Sequence, residues 1–200
     1  MRLIITRHAE TEGNKEGIIQ GHLPGTLSDT GIAQAKRVAL RLKDEKMDYI
    51  YSSDLARSSD TAKEIAKFHQ EVPIEFVKNL RERYLGEWQG KKKSDLGFSK
   101  TTSVAGIVFG VFPKDGETYE ELFNRAKTFL HNVLIKHLKD TVLFVGHNGI
   151  NKALIAAITD KTPEDIKSIE NFHNTSITIY EIDEGRNHKT HIFNCKKHLD

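Results

Sequence analysis

Short apolar runs alternate with longer segments of helical periodicity along this chain, and that alternation most restricts its fold. The run at residues 3–6 is apolar almost throughout, as in a strand that is buried on both faces. Beyond Ser28, a favourable helix N-cap, apolar residues recur at helical spacing. Strands that alternate with helices form a mainly parallel sheet with helices on both faces. The sequence therefore predicts an α/β fold, a three-layer α/β/α sandwich.

The same patterns divide the rest of the chain. Further strands are predicted at 48–52, 74–77, 142–145, 177–180 and 190–194. Turn residues Gly185 and Asn187 join the last two strands into a hairpin, which predicts an antiparallel edge strand. Two more helices are predicted, one from Thr118 and one over 150–158. The apolar positions of the first two helices are Ile32, Ala35, Val38, Ala39 and Leu42, then Ala62, Ile65, Ala66 and Phe68.

Length and charge limit the classes of function. The 200 residues suit a single domain, 1–200, and a net charge of +2 gives no bulk attraction to nucleic acid or to a membrane surface. The N-terminus lacks a signal-peptide pattern, and no apolar run reaches membrane-spanning length. The single cysteine, Cys195, excludes an internal disulfide framework. We expect a cytoplasmic protein whose partner is a small molecule, and a homodimer remains open.

One segment, residues 97–113, fits neither pattern. Its sequence, GFSKTTSVAGIVFGVFP, is rich in glycine and apolar residues and has no clear period. It lies between the third predicted strand and the long helix. Two interpretations stay open, a small packed subdomain and a cap over a site. As a cap, with Lys100 as its one cation, it would favour a substrate with an apolar or uncharged portion.

Polar clusters follow the predicted strands at the points where each strand ends. Arg7 and His8 follow the first strand, Arg57 comes soon after the second, Glu82 after the third and His147 after the fourth. The carboxyl ends of strands in an open α/β sheet face a common crevice. Arginine matches phosphate oxygens, imidazole can attack phosphorus, and a carboxylic acid can protonate a leaving oxygen. The clusters predict a phosphoryl-transfer site that needs neither a metal nor a cofactor.

These motifs resemble the histidine phosphatase superfamily, in its phosphoglycerate mutase-like branch, which usually opens with R-H-G-E-T-x-x-N. The resemblance runs in order through RHAETEGN, LSDTGIAQA, SSDLARSSDTA, LRERYLGEWQG, DGETYEELFNR, VGHNGI and HNTSITIYEID. It implies that His8 is the nucleophile that becomes phosphohistidine and that Glu82 is the proton donor. The phosphate pocket that it implies consists of Arg7, Arg57, His147 and Asn14. The other candidate substrate-binding residues are Gln20, Gly21, Arg83 and Asn148.

The resemblance implies a metal-independent phosphomonoester hydrolase that acts on a small phosphorylated metabolite. A cofactor-dependent phosphoglycerate mutase is the alternative, since Arg83 and a lysine ten positions on partly match the mutase pattern. We interpret Lys91, Lys92 and Lys93 as a solvated basic loop, and the absence of arginine from residues 97–113 favours the phosphatase. An inactive binding module is a third, weaker alternative. Ala9 replaces the family's usual glycine, so its backbone either avoids positive φ or is strained there.

Overall fold

Six strands form one sheet at the centre of the residues that the computed structural model describes, 1–98 and 113–200. The strands are β1 (Arg2–Arg7), β2 (Tyr49–Ser53), β3 (Ile74–Val77), β4 (Thr141–Gly146), β5 (Ile177–Ile182) and β6 (His188–Cys195). The helices are α1 (Glu12–Glu16), α2 (Asp29–Leu42), α3 (Ala56–Ala66), α4 (Tyr119–Lys136) and α5 (Asn148–Ile158). Short 3₁₀ helices lie at Lys78–Leu80, Gly86–Trp88, Lys93–Leu96, Pro163–Ser168 and Lys197–Leu199.

The strand order is β3-β2-β4-β1-β5-β6. Strands β3, β2, β4 and β1 pair in parallel, β5 runs antiparallel to β1, and β6 pairs antiparallel with β5. This arrangement confirms the predicted α/β class, with the antiparallel pairing at one side of the sheet. The carboxyl ends of the four parallel strands lie at one edge, where ligand sites of such sheets form.

Successive residues of the buried strands point to opposite faces, and each face has its own core. Leu3 and Ile5 pack in the core that includes α4 and α5, while Ile4 packs in the core that includes α2 and α3. The sheet therefore lies between two helical layers. This explains why β4 is buried along its whole length and has no alternating pattern.

Helix starts follow the capping residues that the sequence offers. The Ser28 hydroxyl accepts the Gly31 N–H at the start of α2. Thr118 and Glu121 form a reciprocal capping box at the start of α4. Both predicted helix starts are confirmed.

Several expectations need correction. Ile32 and Phe68 are 45% and 46% exposed, so they do not belong to the buried faces of their helices. Phe68 lies beyond the end of α3. The short helix α1, with a capping box between Thr11 and Asn14, was not predicted. Of the predicted cap, residues 99–112 lie outside the described part of the chain.

Candidate active site

The polar clusters at the strand ends meet around a cavity of about 460 Å³. Arg7 and His8 come from the end of β1, Arg57 from the first turn of α3, and Glu82 from the loop that follows β3. His147 is the N-cap residue of α5 at the end of β4; it does not line the cavity but is fully buried against two residues that do, Arg57 and His8. The structure thus brings these five predicted residues together from four different segments of the chain.

The hydrogen bond of His8 determines its tautomer. Its Nδ1 lies 2.7 Å from the backbone carbonyl oxygen of Ala9, which can accept only, so Nδ1 carries the proton. Burial, with the charges of Arg57 and Arg7, holds the pKa of His8 well below its usual value. The imidazole is therefore neutral at pH 7, and its Nε2 keeps a lone pair.

His147 has the opposite tautomer. Its Nδ1 accepts the Nε–H of Arg57 at 3.3 Å, so the proton of the neutral ring is on Nε2. Burial and the charge of Arg57 hold the pKa of His147 well below its usual value. The His8 and His147 rings lie 4.9 Å apart, centroid to centroid. One ring thus offers a lone pair and the other an N–H.

Arg57 is a buried cation held by the backbone. Its Nη1 donates to the Leu23 carbonyl at 2.8 Å and its Nη2 to the Gly21 carbonyl at 2.7 Å. Burial lowers its pKa to about 10, so the guanidinium keeps its charge at neutral pH. Gly21 has φ of 51°, and a Cβ there would meet the Gln89 side chain at 2.1 Å, so this support requires glycine.

Two of the buried donors that lack an acceptor among the described residues lie at this site. They are Nε of Arg7 and Nε2 of His147. Arg7 is held through its Nη1, which donates to the Phe172 carbonyl at 2.6 Å. Buried donors without partners cost free energy unless a ligand or water satisfies them. With the charges of Arg7 and Arg57, they suit a tetrahedral anion beside His8 Nε2.

Glu82 is oriented by backbone amides. Its Oε1 accepts the N–H of Arg83 and the N–H of Gly149, both at 2.8 Å. Gly149 lies in the first turn of α5, where free N–H groups and the helix dipole favour an acceptor. Because two donors occupy Oε1, the other oxygen, Oε2, is the one that can carry a proton.

The remaining candidate binding residues also line the cavity. They are Asn14, Gln20, Gly21, Arg83 and Asn148. Gln20 donates through Nε2 to the Thr11 hydroxyl at 2.8 Å, while its buried Oε1 has no partner among the described residues. Asn148 accepts the Phe172 N–H at 2.9 Å and so ties the loop before β5 to α5.

The cavity contains residues that the sequence reasoning had not assigned. Lys93 is half-buried and lines it, so the interpretation of a fully solvated basic loop is wrong at this position. Burial and the charge of Arg7 lower the pKa of Lys93, which shows that the two cations are near each other. The other unassigned lining residues are Glu10, Ile18, Ile19, Leu85, Gly149, Asn171, Phe172, His173 and Asn174.

Asn174 braces the nucleophile segment, because its Nδ2 donates to the His8 carbonyl at 2.8 Å. The motif HNTSI contained this signal, as a run of four polar residues immediately before the strand β5. Asp54, which the sequence places with Arg57 at a strand end, lies outside the cavity lining and binds Arg81 through two hydrogen bonds of 2.7 and 2.6 Å. That acid neutralises a neighbouring arginine.

Ala9 takes the place of the family's usual glycine without backbone strain. Its φ is not positive, and its methyl group is fully buried. The Ala9 N–H donates to the Thr61 hydroxyl at 3.0 Å, and its carbonyl accepts from His8. The alanine therefore holds the nucleophile's tautomer through its backbone.

The described residues contain neither a metal-binding cluster nor a membrane-spanning helix. Within residues 1–98 and 113–200 there is no group of three or more histidine, cysteine or acidic side chains placed to hold a metal ion. In the same ranges no helix has the length and apolarity needed to cross a bilayer.

Comparison with known proteins gives a consistent family. The family model of the histidine phosphatase superfamily (branch 1) matches residues 3–194. Phosphoglycerate mutase-like protein 4 of Arabidopsis thaliana is 30% identical over 208 residues, which cover 99% of this chain and 86% of that protein. The metal-independent phosphoserine phosphatase of the same plant is 36% identical over 165 residues, which cover 78% of this chain and 68% of that protein.

A solved structure shows the same fold. The structure of YhfR from Bacillus stearothermophilus superposes with a TM-score of 0.86 at 28% sequence identity. The match covers 100% of this chain and 99% of that one.

Proposed function

The chain belongs to the histidine phosphatase superfamily, and we propose that it hydrolyses small phosphate monoesters through a phosphohistidine formed on His8. The observation that carries this proposal is the fixed neutral tautomer of His8, with Nδ1–H bound to Ala9 and the Nε2 lone pair beside two arginines. A neutral imidazole in that tautomer is ready to attack phosphorus.

In the first step, His8 Nε2 forms a bond to phosphorus while the bond to the ester oxygen breaks. Arg7, Arg57 and the His147 Nε2–H stabilise the charge on the oxygens of the transferring group. Glu82 gives its Oε2 proton to the departing oxygen, so the leaving group departs as an alcohol.

In the second step, the ionised Glu82 takes a proton from a water molecule. The water oxygen attacks the phosphorus of the phosphohistidine, and the N–P bond breaks. Inorganic phosphate is released, and His8 recovers its neutral form. The proposed steps require only groups of this chain and one water molecule.

The test is to trap the covalent intermediate. Rapid quenching with a labelled phosphomonoester should give an adduct on His8 that is labile in acid and stable in base. His8→Asn should abolish the adduct and the turnover, whereas His69→Asn, a change outside the cavity lining, should affect neither. Normal turnover by His8→Asn would disprove the proposal, and so would loss of p-nitrophenyl phosphate hydrolysis in the presence of a chelator.

A second candidate function, phosphoglycerate mutase, is favoured by one observation. Lys93 and Arg83 both line the cavity and can receive a second acidic group of a substrate. This feature also fits hydrolysis of a phosphorylated acid, which is the substrate class in the name of the phosphoserine phosphatase relative. It argues against the expectation of a substrate whose second part is apolar.

Assays with 3-phosphoglycerate distinguish these activities. Release of inorganic phosphate identifies a phosphatase, and isomerisation in the presence of a bisphosphorylated primer identifies a mutase. Lys93→Met should raise KM for a phosphorylated acid and leave KM for p-nitrophenyl phosphate nearly unchanged. The cytoplasmic location, the single-domain organisation and a homodimeric state remain predictions.

A further inference from the structure

Arg125, on α4, uses every N–H of its guanidinium group. Nε and Nη2 each donate to the Glu117 carboxylate at 2.8 Å. Nη1 donates to the carbonyls of Asn79 and Arg81 at 2.7 and 3.0 Å, and Nη2 reaches the Glu82 carbonyl at 3.4 Å. One side chain therefore holds three backbone carbonyls in the segment that ends at Glu82.

Glu117 holds the chain on the other side of Glu82. Its Oε2 accepts the Tyr84 N–H at 3.1 Å, and its own N–H donates to the Tyr84 carbonyl at 2.9 Å. Its backbone carbonyl accepts Nε of Arg83 at 2.7 Å. The Arg125 and Glu117 side chains are 20% and 14% exposed, so water competes little for these bonds.

Neither Arg125 nor Glu117 lines the active-site cavity, whereas Glu82 does. The pair lines a separate depression together with Arg81 and Tyr84. Its contacts are with the backbone of residues 79–84, and the His22 imidazole adds a hydrogen bond of 2.8 Å to the Glu82 carbonyl. Through these backbone contacts the Arg125 and Glu117 side chains set the position of Glu82, whereas the cavity-lining Arg83 is held by the Glu117 backbone carbonyl, which a side-chain substitution leaves in place.

We propose that the Arg125–Glu117 pair positions the Glu82 carboxyl group relative to the phosphoryl group that is transferred. This inference rests on the proposed role of Glu82 as general acid. Catalytic groups work only when held within about 0.5 Å of the productive geometry. The Oε1 contact with the Gly149 N–H aims the carboxyl group, and Arg125 fixes the backbone from which it extends.

A purely structural ion pair and a positioning pair predict different kinetics. Loss of stability lowers the amount of folded enzyme and reduces activity on all substrates alike. Loss of acid positioning slows substrates with poor leaving groups, because an alkoxide needs the proton and p-nitrophenolate does not. The ratio of kcat/KM for p-nitrophenyl phosphate to kcat/KM for an alkyl phosphate reports positioning and is independent of the folded fraction.

The variants are Arg125→Lys and Glu117→Gln. A lysine keeps the charge but cannot span three carbonyls and a carboxylate, and a glutamine keeps the size but loses one acceptor oxygen. Each should raise the ratio by about 10-fold or more, which is part of the 10²–10⁴-fold that a general acid contributes. Val133→Ala, a cavity-forming change on the same helix, should lower Tm and leave the ratio unchanged.

Glu82→Gln separates failure of this inference from failure of the proposed function. If Glu82→Gln raises the ratio but Arg125→Lys and Glu117→Gln do not, the pair is merely structural and the positioning proposal is overturned. If Glu82→Gln leaves the ratio unchanged, the assignment of Glu82 as general acid fails, and the positioning proposal fails with it. Should one variant of the pair not fold, the other provides the same measurement.

Discussion

Replacing Gly149 by alanine should displace the general acid without disturbing the fold. A Cβ at this position would lie 2.4 Å from Glu82 Oε1, while ordinary van der Waals contact begins at 3.4 Å. Oε1 must therefore retreat by about 1 Å, since it is the mobile end of a side chain and α5 is fixed by packing. The movement also breaks the 2.8 Å hydrogen bond from the Gly149 N–H.

The expected loss of rate follows from this displacement. A misplacement of about 1 Å can cost roughly 10²-fold, which is within the contribution of a general acid. We expect kcat/KM for an alkyl phosphate to fall by about 10²-fold and the value for p-nitrophenyl phosphate to change little. Stability should change little, because the preference of a helix for alanine over glycine, about 0.5–1 kcal/mol in a helix interior, offsets part of the cost of the broken hydrogen bond.

The assay compares both substrates and Tm for Gly149→Ala, Gly185→Ala and wild type. Gly185 lies in the turn between β5 and β6, so its substitution adds the same methyl group outside the cavity lining. In the background of Glu82→Gln, the Gly149→Ala change should cause no further loss, because the proton donor is already absent. Equal losses on the two substrates, or an unchanged rate on the alkyl phosphate, would refute the reasoning.

Three further predictions concern charges in and near the cavity. Because the pKa values of His8 and His147 are both lowered, the acidic limb of the pH profile of kcat/KM should lie well below pH 6.5. The free energy of unfolding should also fall as the pH drops below 6.5, because the two histidines take up protons in the unfolded chain before they do so in the folded one. Burial lowers the pKa of Lys152 to about 8 from 10.5, so stability measured by denaturant titration should rise between those pH values. Lys152→Met should remove this rise and stabilise the protein by up to about 3 kcal/mol at pH 7, and an unchanged pH dependence would contradict the shift. Arg57→Lys should reduce kcat by about 10²–10³-fold, since a lysine side chain cannot span the two carbonyls and the imidazole that Arg57 binds. A rise in KM with an unchanged kcat would contradict this.

The position of the reactive groups could be predicted because it depends on topology. A chain of alternating strands and helices has one edge where parallel strands end, and the polar residues after each strand mark that edge. Arg7 is the last residue of β1, one residue after its buried apolar run, and His8 comes next, while His147 follows the fully buried strand β4. Those breaks in hydrophobicity are local and can be read without the structure.

Lys93 and Asp54 show where this reasoning ends. Each is a charged residue near candidate site residues in sequence, and nothing local distinguishes one from the other. Lys93 is placed at the cavity by a 3₁₀ helix, whereas Asp54 is turned outward to Arg81. The direction in which each side chain points depends on the backbone conformation of its loop and, for Asp54, on a partner 27 residues away. The spacing of apolar and polar residues does not predict either of them.

The support of Glu82 is invisible in the sequence for a related reason. Its carboxyl group depends on an amide of α5, 67 residues away, and its backbone on Arg125, 43 residues away. The motif DGETYEELFNR contains Glu117 and Arg125, and an eight-residue spacing places an acid just before α4 and a base two turns into it. The sequence alone suggests a surface ion pair, and such a pair contributes little to the free energy of unfolding. The proposed role of holding the general acid depends on the three backbone carbonyls that Arg125 binds. Those hydrogen bonds form only when α4 packs against the loop after β3.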